Sequence, residues 1–156
     1  MSSNYVIPTE KSVASLLAMI FGDGLGVNGG DAADLNSQHV ATVIDDEDKL
    51  VAICACDKEF VAYSGAALSM IPADVANEMI SGNSISEALV GNFYEVMNIC
   101  SKLLMSDSSA HLRLDKTLDP GAANDAVASL EAAAKKVAFS VNIPSYGSGT
   151  LTFIIS

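Results

Sequence analysis

Two apolar runs on either side of an acidic tip constrain this chain more than anything else in it. Val40-Ala41-Thr42-Val43-Ile44 and Leu50-Val51-Ala52-Ile53-Cys54-Ala55-Cys56 are short, continuous and rich in β-branched residues, and Asp45-Asp46-Glu47-Asp48 lies between them. Four successive carboxylates must stay in water, and the connection is too short for a crossover. The two runs are therefore expected to pair as antiparallel strands, with the acidic run as a solvated hairpin tip. The run lacks the ligand spacing of an EF-hand, so it is not read as a Ca²⁺ loop.

The rest of the chain is read around that hairpin. Residues 1–8 form a flexible lead-in. Val13, Leu16, Leu17, Ile20 and Phe21 recur at helical spacing behind Thr9 as N-cap, and Gly22 stops the helix. Residues 22–38 read as a Gly-rich loop, because five glycines between Gly22 and Gly30 hold neither helix nor strand. This loop follows a helix, opens none and lacks Gly-Lys-Ser/Thr, which argues against a phosphate cradle. Phe60 to Ile71 reads as a third strand of a meander, with Gly65 as a bulge. Pro72 opens a helix that Gly82 ends. Ser84 and Glu87 read as a capping box for a longer helix to about Met105. His111 to Asp119 alternates like a half-exposed strand, and Asn124 to Ala133 reads as a short helix. Val137–Ile143 and Thr150–Ile155 close the sheet around a turn at 144–149. The layout is one α+β domain over residues 1–156, with helices packed on a largely antiparallel sheet.

Composition narrows the function. With 19 acidic residues against 8 basic, the net charge is −11, which disfavours nucleic acid and anionic membranes and suits a basic partner. No run of about 18 apolar residues is present to span a membrane. The N-terminus has no basic stretch followed by an apolar core, so no secretory signal is expected. Cys54, Cys56 and Cys100 make no disulfide framework, and the cytoplasm is the expected compartment. Cys54 and Cys56 share one face of a strand, but His39 and His111 are the only histidines, so buried small hydrophobes are expected and not a metal site. Two isolated histidines give no nucleophilic triad.

The helix from Ser84 carries the candidate chemistry. On a wheel of 100° per residue, Ile85, Leu89, Phe93, Val96, Cys100 and Leu103 share one face. Glu87, Gly91, Glu95, Asn98 and Lys102 share the opposite face, within a band of about 80°. Glu95 and Asn98 are three residues apart and therefore neighbours. A carboxylate grips a partner's cation and a carboxamide positions a water. Neither is a strong nucleophile, so the pair points to hydrolysis assisted by a partner's own site. Gly91 costs about 1 kcal/mol relative to Ala in mid-helix. Either another backbone approaches closely there, or an exposed glycine is tolerated.

The segment from Gly65 to Gly82, the sequence Gly91-Asn-Phe-Tyr-Glu-Val-Met-Asn98 with its Glu-x-x-Asn, Pro120 after 21 intervening residues, and the two closing strands together resemble the CheC/CheX/FliY family of chemotaxis phosphatases. The resemblance covers roughly Val40 to Ser156. It implies a fold of the CheX/CheC kind and dephosphorylation of a phospho-aspartate on a CheY-like response regulator. Asn98 would orient the attacking water and Glu95 would bind a lysine beside the phosphorylated aspartate, with Gly91 and Lys102 as neighbouring partner-binding positions. No cofactor is implied in this chain, since the Mg²⁺ belongs to the response regulator, and a homodimer is implied. A single Glu-x-x-Asn matches the CheX branch. Asp74-Val-Ala-Asn77 is not counted as a second site, because Asp is one carbon shorter than Glu. Gly91 stands where relatives usually carry Asp or Ser, which favours the alternative of a non-catalytic binding module for a receiver domain or flagellar-switch partner.

Overall fold

The computed structural model describes residues 5–30, 38–82, 84–106, 109, 111–122, 125 and 135–155. Its centre is a six-stranded antiparallel sheet. The strands are β1 (Gly26–Gly29), β2 (His39–Asp45), β3 (Leu50–Cys56), β4 (Leu112–Leu118), β5 (Lys135–Ile143) and β6 (Gly147–Ile155). Their order across the sheet is β1-β5-β6-β3-β2-β4. The helices are α1 (Glu10–Phe21), α2 (Lys58–Leu68), α3 (Ala73–Ser81) and α4 (Glu87–Cys100), the last running into a 3₁₀ turn at Ser101–Leu104. The architecture is α+β, as the sequence indicates.

The β2–β3 hairpin forms as expected, with Val40 opposite Ala55 and Val43 opposite Ala52. Its tip is organised by Asp45, whose Oδ1 accepts from the Glu47 and Lys49 amides at 2.9 and 3.0 Å. β4 lies against β2, and side chains at its start hold the tip: Arg113 pairs with Asp48, and His111 Nδ1 lies 2.8 Å from Asp46. The acidic run is thus tied down on one side while its carboxylates stay largely in water.

Thr9 caps α1 through a full capping box with Ser12, and Val13 and Leu17 bury its inner face. The lead-in is attached and not loose over its described part. The Val6 amide donates to the Leu104 carbonyl at 2.9 Å, and Tyr5 packs on the core. Part of the Gly-rich region is also ordered against the sheet. Gly26–Gly29 pairs with Phe139–Asn142 as an edge strand, where one missing row of partners makes glycine tolerable. Residues 31–37 lie outside the described residues, as does nearly all of the expected helix at 124–133.

The largest correction is at Phe60–Ile71. This segment is the helix α2 and not a third strand, and no meander forms; β3 instead takes β6 as its second neighbour. A continuous apolar run has no period of its own, so a buried helix and a buried strand look alike in it. Asp57 decides the outcome. Its Oδ1 accepts from the Phe60 amide at 2.8 Å, capping α2, and from the Thr150 amide at 3.0 Å, fixing α2 to β6. Gly65 is accordingly no bulge but a packing position. A Cβ built there would lie 2.7 Å from the Leu89 carbonyl oxygen, so only glycine lets α2 and α4 approach this closely. Gly149 does the same for β6, where a Cβ would sit 2.5 Å from the Phe60 backbone.

α2 ends in a Schellman arrangement, with the Ile71 amide on the Ala66 carbonyl at 2.8 Å and Met70 on Ala67 at 3.2 Å. The left-handed position belongs to Met70, at φ 57°, where glycine is the usual occupant. Pro72 then stands at the N-cap of α3, one place earlier than expected, and Gly82 closes that helix. The main core packs Phe60, Phe93, Phe139, Phe153, Leu17 and Met97 between sheet and helices. A second cluster of Val40, Ile53, Ala55 and Ile154 is formed by alternate residues of β2, β3 and β6.

Candidate functional site

The cap of α4 is Ser86, whose Oγ accepts from the Leu89 amide, two residues later than the expected Ser84. Leu89, Phe93, Val96, Met97 and Cys100 bury one face of α4. Four of these are the residues the wheel places inside, joined by Met97. Ile85 precedes the helix and is half-buried.

The opposite face is open. Glu87, Gly91, Glu95, Asn98 and Lys102 are all exposed. The structure brings Glu95 and Asn98 together on adjacent turns of one helix, as their spacing requires. No hydrogen bond or ion pair ties either side chain to another described residue. Both are available to a partner. Lys102 lies beyond the α-helical part. The α-helix stops at Cys100, short of the expected Met105, and the 3₁₀ turn winds at about 3.0 residues per turn, so Lys102 leaves the ideal wheel. The Ser101 hydroxyl donates to the Asn98 carbonyl at 2.7 Å, closing the helix under the candidate residue. Among the described residues nothing approaches Gly91: a Cβ there would meet no atom of theirs within 4 Å. It is an open position, and no second backbone rests on it.

What holds this face in place is α2 behind it. Asn92 Nδ2 donates to the Gly65 carbonyl at 2.9 Å and to Ser69 Oγ at 2.7 Å. The wheel assigns Asn92 no role, since its partner Gly65 lies in an apolar run whose sequence has no period to mark it as a helix. On α3, Asn77 Oδ1 accepts from Tyr63 Oη at 2.7 Å, so it serves packing between α2 and α3.

Cys54 and Cys56 lie on β3 and Cys100 on the inner face of α4, all three buried. Burial pushes all three thiols up, Cys100 to about 12, which makes them poor nucleophiles and poor metal ligands. His39 is buried at the start of β2 with its ring edge-on to Phe93, centroids 6.3 Å apart. Burial lowers its pKa, against the opposing pull of Asp119 at 3.9 Å. Asp119 is exposed, so water screens that pull and burial prevails.

No protein-family model matches the chain, and no curated protein matches it. Among solved structures, it is similar to the CheX–CheY–BeF3–Mg²⁺ complex from Borrelia burgdorferi at 12% identity, over 91% of this chain and 90% of that one, with a TM-score of 0.42. It is also similar to the chemotaxis protein CheX from Desulfovibrio desulfuricans at 10% identity, over 94% and 95% of the two chains, with a TM-score of 0.35.

Proposed function

We propose that this chain hydrolyses the phospho-aspartate of a CheY-like receiver domain by positioning water on the exposed face of α4. The observation that carries this reading is the placement of Glu95 and Asn98. They are adjacent, exposed and without hydrogen-bond or ion-pair partners among the described residues, on a helix whose other face is locked into the core. The Glu-x-x-Asn resemblance adds the roles. Glu95 engages a lysine of the receiver, and the Asn98 carboxamide holds a water in line with phosphorus. The water oxygen bonds to phosphorus as the bond between phosphorus and the aspartyl oxygen breaks, releasing phosphate and free aspartate. Any Mg²⁺ in this scheme is held by the receiver. Holding the water removes much of the entropic barrier without covalent chemistry in this chain.

Gly91 favours a second reading. Its bare, open position supplies no side chain to the partner where relatives usually have Asp or Ser, so the same face would bind a receiver or a flagellar-switch partner without hydrolysis. One experiment separates the two. A receiver is loaded with a small phosphodonor and phosphate loss is followed with and without the protein. Faster decay, abolished in Asn98→Ala with binding retained, supports the phosphatase. Unchanged decay with measurable binding leaves the binding module.

A further inference from the structure

Among the described residues, three large hydrophobic side chains are open to water, Ile7, Met19 and Met70, and Met70 is the most exposed at 87%. A single exposed hydrophobe is ordinary. Met70 differs in its backbone. It holds φ 57°, a left-handed conformation that glycine adopts freely and that costs stability for any residue with a Cβ. Residues in such conformations persist only where their surroundings hold them, and they cluster at ligand clamps. The side chain does not offset the cost within the fold, since it packs on none of the buried clusters.

The turn is held on both sides of Met70. Before it, Ser69 Oγ accepts from Asn92 Nδ2 of α4 at 2.7 Å. After it, the Ile71 carbonyl accepts from Tyr146 Oη at 2.6 Å. Met70 is therefore presented to solvent from a fixed backbone, which lowers the entropic cost of meeting a partner. The Ser69–Asn92 bond also sets where it stands. On an ideal helix, Ala88 and Glu95 follow Asn92 within about 60° around the axis, on the way to Gly91 and Asn98. All four are exposed. The end of α2 thus flanks the open stripe of α4 on its Glu95 side.

We propose that Met70 is a second anchor for the receiver, which presents an apolar patch beside the lysine that Glu95 engages. The inference rests on the receiver-docking reading above and is indifferent to whether docking ends in hydrolysis. Continuity names the occupant, because Met70 adjoins the face that carries Glu95 and Asn98. Glu95 selects by charge. Met70, unbranched and adaptable, buries apolar surface next to that ion pair and keeps water from it.

The test titrates CheY-like receivers from the same genome, loaded with beryllofluoride and Mg²⁺, into the full chain by calorimetry. Met70→Gly and Met70→Gln are each expected to weaken binding about tenfold, the lower end of what burying a methionine side chain contributes. Met70→Leu keeps the apolar volume and is expected to stay within about threefold of the unchanged protein. The Met70 losses are expected to be insensitive to salt, whereas an ion-pair loss shrinks as salt is added. Met70→Gly also relieves the left-handed strain, so its thermal midpoint is expected to rise while its affinity falls, which a damaged fold would not do. If a receiver binds the unchanged protein and binds Met70→Gly and Met70→Gln as tightly, this inference is overturned and the docking face stands. If no receiver binds the unchanged protein, the docking reading is overturned and this inference with it. Met19 on α1 is nearly as exposed, at 85%. An equal loss in Met19→Gln would overturn the inference by showing non-specific adhesion.

Discussion

The Asn92 side-chain amide donates to the Gly65 carbonyl across the α2–α4 contact, at 2.9 Å. The hydrogen bond and the missing Cβ of Gly65 act together. Glycine lets the Leu89 backbone come close, and Asn92 then fixes the register of the two helices. The exposed stripe of α4 is held by the helix behind it.

That contact predicts opposite outcomes for two glycines. Gly65→Ala forces a Cβ against the Leu89 carbonyl, and overpacking of this kind costs about 1–3 kcal/mol. Gly91→Ala meets nothing and gains about 1 kcal/mol of helix propensity. Urea denaturation is expected to move the midpoint down for the first and up for the second. Similar shifts in both would contradict the close packing.

Met70 offers a further gain. It holds the left-handed position at the end of α2 at φ 57° with its side chain in water. A left-handed conformation costs a non-glycine residue about 1–2 kcal/mol. Met70→Gly is expected to raise the thermal midpoint while leaving the far-ultraviolet spectrum unchanged.

The two proposed site residues are expected to separate kinetically. Misplacing a reacting group costs about 10²-fold, and Asn98→Ala should lose roughly that factor in receiver dephosphorylation with little change in affinity. An exposed ion pair contributes about 1 kcal/mol or less. Glu95→Ala should therefore weaken receiver binding only a few-fold, measured by titration at low salt, and the loss should shrink as salt is added.

Glu59 and His39 give stability opposite slopes with pH. Burial, reinforced by Asp57 and partly offset by Lys58, raises the Glu59 pKa above 4.5. Its folded form holds a proton more tightly than the unfolded chain does, so stability is fullest below that value and is lost as pH rises through the folded pKa. Glu59→Gln is expected to raise the thermal midpoint at pH 7 and change it little near pH 4. Burial lowers His39 below 6.5, so the unfolded chain takes up its proton first, and stability falls as pH drops below 6.5. His39→Gln should flatten that acid limb.

The cysteines predict a simple chemical result. All are buried with raised thiol pKa values. Iodoacetamide at pH 8 is expected to modify none of them in the native protein and all three in urea, counted by mass.

The legible parts of the sequence were those where a period or a cap stands alone. The acidic tip enforced the β2–β3 hairpin, Thr9 and Gly22 bracketed α1, and the 3.6-residue period of α4 put Glu95 and Asn98 on its open side. The illegible parts depended on partners far along the chain. Asp57 caps α2 while also binding Thr150, so the helix is chosen partly by a residue 93 positions away. Gly26–Gly29 becomes a strand only because β5 offers it an edge. Ser69 and Asn92 meet through the packing of α2 on α4, and no spacing announces that.

The position of β6 has a consequence for the order of folding. It is the last strand in the sequence, yet it lies between β5 and β3 and joins the two halves of the sheet. During synthesis, β2, β3 and β4 form a local unit whose β3 edge has no neighbour until the final strand emerges. An open apolar edge invites pairing with other chains. A chain shortened before Gly147 would hold two half-sheets with nothing between them, prone to associate through the gap that β6 fills.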